Sequence, residues 1–358
     1  MSRILVAMSG GIDSTIAAVL LHEQGHEVIG VTMKTWDYHS SGGTKKETGC
    51  CSLDSINDAR NVAVKYNFPH YIIDLREEFG NKIIDNFVSE YMAGRTPNPC
   101  VLCNTFIKWE ALLQRADKLN CAYIATGHYA GIRCENGRYI VSRGRDENKD
   151  QSYVLWGISQ ENLARTVFPL ANYKKQEVRQ LAHKFGMTEL TKKNESYEIC
   201  FIPDNDYRSF LKRRMNGHDR DLNSGKMTLA DGTIIGAHEG YPYYTIGQRK
   251  GLKVATGNPN YVTSIDPVTN TVVLGPREHL LKQEMAVKEV NLVKYDRIPD
   301  NLDVLTKIRY RDKGAMSAIT QKEDKIYVHF HKPVTAITPG QSAVFYEGDD
   351  LVGGGIIE

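Results

Sequence analysis

The period of the apolar positions changes repeatedly along the first half of the chain. The apolar run 4–8 and the largely apolar segments 28–33, 70–73 and 122–126 predict short buried strands. Between them, segments 16–23, 52–66, 79–93 and 104–118 carry apolar residues at helical spacing. Strand–helix alternation of this kind predicts an α/β domain with a doubly wound, mostly parallel sheet, whose ligands bind beyond the carboxyl ends of the strands. The turn Ser9-Gly10-Gly11-Ile12-Asp13-Ser14, Met33 and Gly127-His128-Tyr129 all fall at such ends. Asn136-Gly137, flanked by 131–133 and 138–141, predicts a tight hairpin.

The texture changes after Pro203. One more helix is expected over 206–215, and then alternating apolar segments are punctuated by Asp231-Gly232, Asp266-Pro267, Asn270 and Glu347-Gly348. Two small β-rich units follow from this pattern, with a boundary near Gly275-Pro276. The expected division is a catalytic domain over 1–205, a small central β-rich domain over 206–275 and a C-terminal β-barrel over 276–358. The polar stretch 34–49, with Gly42-Gly43, is expected to form a mobile loop over the nucleotide site.

Composition narrows the class without naming a function. At 358 residues, with 41% hydrophobic and 25% charged positions, the chain has the balance of a soluble globular protein of two or three domains. No apolar run approaches the roughly 18–20 residues of a membrane span. The first residues read as a strand entering a functional turn, not as a secretory segment. Seven cysteines, an odd number, make no disulfide framework, so a reducing cytoplasm is expected. The net charge of +2 decides nothing, but Lys212-Arg213-Arg214, Arg249-Lys250 and Arg309-Tyr310-Arg311-Asp312-Lys313 suit a nucleic-acid surface.

Candidate chemistry begins at the turn after the first strand. Gly10 and Gly11 lack Cβ atoms, so backbone N–H groups can approach phosphate oxygens closely. The following helix adds the positive end of its dipole, and Ser9 and Ser14 add hydroxyl donors. The turn is neither G-x-x-x-x-G-K-[ST] nor G-x-G-x-x-G. It resembles the pyrophosphate loop of ATP pyrophosphatases, which cleave ATP to AMP and pyrophosphate.

The second signal is cysteine. Residues 95–104 form a proline-fixed loop expected to run into a helix near Asn104, which places Cys103 at a helix N-terminus that stabilises a thiolate. Cys100 is expected to lie outside the first helical turn. Cys100-x-x-Cys103 is also half of a zinc site or a redox dithiol, although no second half and no thioredoxin-like surroundings appear. Cys200, taken alone, reads as a buried structural cysteine. Cys121 and Cys134 read as packing residues.

With these motifs in order, the chain resembles the bacterial and mitochondrial tRNA-specific 2-thiouridylases over essentially its full length. The resemblance rests on 9–14, Gly94-Arg95-Thr96-Pro97-Asn98-Pro99 with Cys103-Asn104, Ala125-Thr126-Gly127-His128-Tyr129, and Lys149-Asp150-Gln151-Ser152-Tyr153. It continues through Ile199-Cys200-Phe201-Ile202, the 245–252 segment, Thr338-Pro339-Gly340-Gln341 and the 353–357 tail. It implies an adenine nucleotide alpha hydrolase-like domain that binds ATP, with Mg2+, through Ala7, Met8, Ser9, Gly10, Gly11, Ile12, Asp13, Ser14, Met33 and Gly127. It implies Cys103 as nucleophile and Cys200 as persulfide carrier, which form a disulfide in the cycle. Asn98, Pro99 and Cys100 would contact the target base, and His128, Lys149, Asp150, Gln151, Arg309, Tyr310 and Gln341 the tRNA. The implied partners are the anticodon loops of tRNAs for Lys, Glu and Gln and a persulfide-relay or cysteine desulfurase protein. No resident metal site is expected. Two positions depart from the family: Cys100 stands where Asp is usual, and Ser196-Tyr197-Glu198-Ile199-Cys200 replaces Ser-Thr-Gly-Ile-Cys. A ligase acting on a small molecule would share the ATP loop but would not need paired thiols. A non-catalytic RNA-binding or zinc protein would have no use for Asp13.

Overall fold

The computed structural model describes residues 1–36, 52–193, 199–202, 204–215, 224–254 and 257–358. These form two compact units. The first comprises Met1–Ile84, Pro99–Tyr207 and Asp349–Leu351, and the second Asp85–Asn98, Arg208–Gly348 and Val352–Glu358. The polar loop expected over 34–49 lies almost wholly outside the described residues, as does Glu198.

In the first unit the strands are β1 (Arg3–Ala7), β2 (Glu27–Lys34), β3 (His70–Asp74), β4 (Tyr123–Ala125), β5 (Ala130–Glu135), β6 (Arg138–Arg143) and β7 (Thr166–Val167). Five of them make a parallel sheet in the order β3-β2-β1-β4-β7. The winding direction reverses between β1 and β4, so their carboxyl ends open a crevice at the switch point, the usual ligand position of such sheets. Helix α1 (Ile12–Glu23) leaves β1 through the glycine turn and buries Ile12, Ile16, Val19 and Leu20. Its apolar side joins Val6, Val178 and Ala182 in one core cluster, which fixes the turn against the sheet. The β5–β6 hairpin turns at Asn136 and Gly137, with φ of 51° and 78°, the left-handed pair that a two-residue hairpin requires.

Three sequence expectations change in this unit. Strand β3 forms, but it is not buried: Tyr71 is 48% and Ile72 55% exposed, because β3 is the sheet edge. The helix expected over 79–93 is instead Arg76–Phe79, a π-helical turn Gly80–Ile84 and a helix Asp85–Met92 that belongs to the second unit. The helix expected from 104 begins at Pro99, whose fixed φ and missing N–H suit a first helical position. It runs through a π-helical segment Cys103–Ala111 into Leu112–Lys118.

The second unit contains the β-rich parts. Strands β8 (Gly225–Leu229), β9 (Ile234–His238), β10 (Tyr261–Asp266) and β11 (Thr271–Gly275) make a sheet in the order β10-β11-β8-β9. The remaining strands are β12 (Leu281–Leu292), β13 (Leu302–Lys307), β14 (Ala315–Lys322), β15 (Lys325–Thr335), β16 (Ser342–Glu347) and β17 (Asp350–Ile357). They form an antiparallel barrel that closes where Val287 of β12 meets Ile357 of β17. Closure removes the exposed sheet edges, and Met285, Val304, Ile319, Val328, Phe330 and Phe345 fill the interior. The fold class is therefore the expected one, a parallel α/β sheet followed by β-rich parts ending in a barrel.

Candidate active site

The turn after β1 is shaped for close approach. Gly10 has φ +72°, and a Cβ there would lie 2.1 Å from the carbonyl oxygen of Ser55, so no other residue fits. Gly11 caps α1 without a side-chain hydrogen bond, so the helix N-terminus offers its N–H groups outward. The Ser14 hydroxyl is not offered as expected. It accepts from Ser9 N at 3.0 Å and donates to the Gly11 carbonyl at 3.1 Å, bracing the loop from inside. Ser9, exposed, is the hydroxyl at the surface. Ala7 ends β1 and Met8 follows it, its carbonyl accepting from Thr32 Oγ1 at 2.8 Å. Because Thr32 spends its proton there, His70 Nε2, 2.9 Å away, donates to Thr32 Oγ1. Met33 lies one residue before the end of the neighbouring strand β2, paired with Ile73. Gly127 follows β4, and a Cβ on it would lie 2.7 Å from Ser14 N. The end of β4 thus presses on the first turn of α1, where only glycine is admitted.

Asp13 is the charged residue of the loop, and its partners were not anticipated. Lys175 Nζ lies 2.7 Å from both carboxylate oxygens, and Tyr129 Oη donates to Oδ1 at 2.6 Å. Lys175 is only 7% exposed. It opens the helix Lys175–Lys184, where the helix dipole disfavours a cation. A buried cation at the wrong helix end is a local violation of the kind found at functional sites. A lysine preceding an amphipathic run was the available signal, but nothing in the spacing ties residue 175 to residue 13.

The thiols occupy one helix and one turn. Pro99–Leu102 is α-helical and continues directly at Cys103, so Cys100, not Cys103, stands in the first helical turn. The expectation that Cys103 alone has the helix N-terminus is corrected by this earlier start at proline. Cys100 is exposed and Cys103 half-exposed. Crowding by the surrounding protein raises the Cys100 thiol pKa, opposed by the Lys108 charge. Asn104 is 1% exposed; its amide donates to the Val154 carbonyl at 2.9 Å, while its Oδ1 is buried with no hydrogen-bond partner among the described residues. Cys200 is half-exposed, not buried. The adjacent Phe201 packs edge-on against Phe79, with centroids 5.7 Å apart. Phe79 ends the helix Arg76–Phe79, which contacts the segment beginning at Cys103. Cys121 is buried, as packing requires, but Cys134 lies exposed on the hairpin.

The residues expected at the RNA surface divide by environment. His128 is buried between Trp109 and Phe168, with Nδ1 2.6 Å from Thr126 Oγ1 and Nε2 3.5 Å from Lys108 Nζ. Burial first, and Lys108 second, hold its pKa well below 6.5, so the ring is neutral. Asp150 accepts from Gly144 N, Ser152 N and Ser152 Oγ, and Lys149 donates its backbone N–H to Asp146. Gln151 Oε1 accepts from Tyr129 N at 3.0 Å, so this segment steadies the loop after β4. In the second unit, Gln341 Nε2 donates to the carbonyls of Thr96 and Pro97 at 2.9 and 3.1 Å. Thr96 N donates to Pro339. These bonds hold the backbone at Thr96 and Pro97 within the second unit. Arg309 donates to the Thr335 carbonyl, and both it and Tyr310 are exposed. Among the described residues no group of three or more His, Cys, Asp or Glu is gathered for a metal ion, and no helix is long and apolar enough to cross a membrane.

A parallel sheet with a glycine phosphate turn at its switch point and two thiols on a helix of the same unit defines a nucleotide-activating enzyme of the ATP-pyrophosphatase-loop class. Family models agree along the chain. Residues 2–204 match the tRNA methyl transferase HUP domain, 208–276 the tRNA methyl transferase PRC-barrel domain, and 282–357 the aminomethyltransferase beta-barrel domain. The tRNA-specific 2-thiouridylase MnmA of Amoebophilus asiaticus (strain 5a2) is 63% identical, covering 99% of this chain and 95% of its own. Those of Cytophaga hutchinsonii and Salinibacter ruber are 59% and 57% identical, each over 99% of this chain and 97% and 94% of their own. The chain belongs to the tRNA-specific 2-thiouridylase family.

Proposed function

We propose that the protein uses ATP to replace the C2 oxygen of the wobble uridine of tRNA by sulfur, with tRNAs for Lys, Glu and Gln as substrates. The uracil oxygen is a poor leaving group, so it is first adenylated: O2 attacks the α-phosphorus of ATP and pyrophosphate departs. The backbone N–H groups of 9–14 hold the departing phosphates, Ser9 adds a hydroxyl, and Lys175 supplies a buried positive charge there. Ala7, Met8, Ile12, Met33 and Gly127 line the nucleotide side of the crevice. Mg2+ usually keeps several waters and takes one or two carboxylates beside substrate phosphates. Asp13 fits that requirement for an ion arriving with ATP, whose contribution is to neutralise pyrophosphate charge.

A persulfide on Cys200 then attacks C2 through its terminal sulfur and AMP leaves. Cys103 attacks Sγ of Cys200, the bond between the two persulfide sulfurs breaks, and its electron pair stays with the sulfur on the base. A Cys103–Cys200 disulfide results. A protein persulfide carrier or a cysteine desulfurase supplies the sulfur. The uridine reaches the thiols because an anticodon loop presents it unpaired. Asn98, Pro99 and Cys100 contact it, with Gln341 holding the preceding carbonyls. His128, Lys149, Asp150, Gln151, Arg309 and Tyr310 face the rest of the RNA. The domains 1–205, 206–275 and 276–358 divide this work into chemistry and RNA positioning.

The observation that supports this reading most is the phosphate turn at the β1–β4 switch point, in one unit with Cys103 and the Cys200 turn. The test is nucleoside mass spectrometry of tRNA incubated with the protein, ATP and a persulfide donor. Formation of 2-thiouridine that is lost in both Cys103→Ser and Cys200→Ser supports it; product from either variant contradicts it.

A further inference from the structure

Cys100 stands where the resembled family carries an acid, and the corrected helix start gives it a definite relation to Cys103. Both residues lie on one continuous helical path, with Leu102 between them at φ −60° and ψ −40°. Residues three apart on such a path have Cα atoms ~5 Å apart, inside the 4.4–6.8 Å range that a disulfide accepts. Pro99 starts the helix and is buried, while Cys100 is exposed and Cys103 half-exposed. The Cys200 turn is tied by hydrogen bonds from Ile202 N to Ile199 O and from Asn205 N to Ile202 O, and Phe201 anchors it on Phe79. A disulfide from Cys103 to Cys200 therefore spans two separate elements, whereas one from Cys103 to Cys100 needs only a single helical turn.

We propose that Cys100 is the resolving thiol of this enzyme: it attacks the Cys103–Cys200 disulfide left by sulfur transfer and moves that disulfide to Cys100–Cys103. The inference rests on the reaction sequence proposed above. In the step, the Cys100 thiolate attacks Sγ of Cys103, and a new S–S bond forms as the Cys103–Cys200 bond breaks. The electron pair leaves on Sγ of Cys200, which takes up the proton that Cys100 gave away. No net oxidation occurs, since one disulfide replaces another. Cys200 is returned as a thiol, ready for reloading. The remaining Cys100–Cys103 disulfide sits at an exposed helix start, where a small external dithiol reduces it by ordinary exchange. Lys108, whose charge reaches Cys100, favours the attacking thiolate against the crowding that opposes it. Exchange consequently accelerates as the pH rises toward the elevated thiol pKa.

The full-length protein is loaded with persulfide by inorganic polysulfide and passed through a desalting column. It is then given ATP, magnesium and tRNA without reductant. After quenching with N-ethylmaleimide, disulfides are mapped by peptide mass spectrometry for wild type, Cys100→Ser and Cys100→Asp. Wild type is expected to carry Cys100–Cys103 with Cys200 alkylated, and both variants to carry Cys103–Cys200. In multiple turnover with limiting dithiothreitol, steady-state rate divided by each protein's own first-turnover rate falls about tenfold in the variants, a ratio that cancels any effect on base contact. Wild type that retains Cys103–Cys200 with Cys100 alkylated overturns the proposal while leaving the persulfide reading intact. Formation of 2-thiouridine with neither disulfide in any of the proteins overturns both.

Discussion

Replacing Lys175 by Met removes the cation that Asp13 holds while keeping a long apolar stem in its buried position. Breaking a fully buried ion pair costs roughly 3–5 kcal/mol. The Asp13 side chain is 33% exposed and keeps the hydroxyl of Tyr129, so water and that hydrogen bond screen the orphaned carboxylate. The expected loss is therefore about 1–3 kcal/mol, a fall of several degrees in melting temperature. Turnover should suffer more. A preorganised charge aimed at departing phosphates is worth ~10²–10³ in rate, and Lys175 is paired with Asp13 of the phosphate turn. The discriminating variant is Asp13→Asn/Lys175→Met, which has no unpaired charge. It should recover most of the stability by thermal denaturation yet be at least as slow as Lys175→Met in 2-thiouridine formation and pyrophosphate release, since it also lacks the Asp13 carboxylate. Lys175→Met with kcat/KM within threefold of wild type would refute the reasoning, because the pair would then be structural alone.

Gly10→Ala and Gly127→Ala should each abolish ATP binding, measured by calorimetry, since their Cβ atoms would lie 2.1 Å from Ser55 O and 2.7 Å from Ser14 N. The Gly10 variant should also melt earlier. His128 is held neutral, with a folded pKa below 6.5, so the unfolded chain binds the extra proton. Its contribution to stability is complete above pH 6.5 and declines as the pH falls below that value. Melting temperature should drop on acidification, and His128→Gln should flatten part of that drop; His70 and His238, also lowered by burial, add to it, and the lowered carboxyls of Asp74, Asp231, Glu239 and Asp266 extend it to more acid pH. Binding of tRNA should weaken steeply with salt. Arg309→Ala and Lys149→Ala should each reduce the slope of log affinity against log salt by about one, and a flat titration would contradict a phosphate footprint.

The parallel sheet and the phosphate turn were legible because they depend on local pattern. Residues 4–8 are apolar without interruption, and two glycines must follow where backbone meets phosphate. The exposure of β3 was not legible, since an apolar run reads alike at the centre and the edge of a sheet. Pro99 was read as fixing a loop, although proline serves equally well as the first residue of a helix, and this misplaced Cys100 relative to the helix dipole. The role of Lys175 and the hydrogen-bond partners of Gln341 were hidden for a different reason. Their partners are 162 and 245 residues away, and contacts of that range leave no periodicity in a single chain. The same is true of Phe201 on Phe79, the contact that brings the Cys200 turn toward the helix of Cys103.

The central claim is that one ATP is cleaved for each uridine thiolated, with sulfur arriving through Cys200. The most direct measurement is a single incubation of purified protein with polysulfide-loaded Cys200, radiolabelled ATP and tRNA, following AMP, pyrophosphate and 2-thiouridine together. The account predicts equal amounts of the three products, none without tRNA, and no 2-thiouridine from Cys200→Ser. Pyrophosphate release that proceeds at full rate without tRNA, or 2-thiouridine formed by Cys200→Ser, would contradict it.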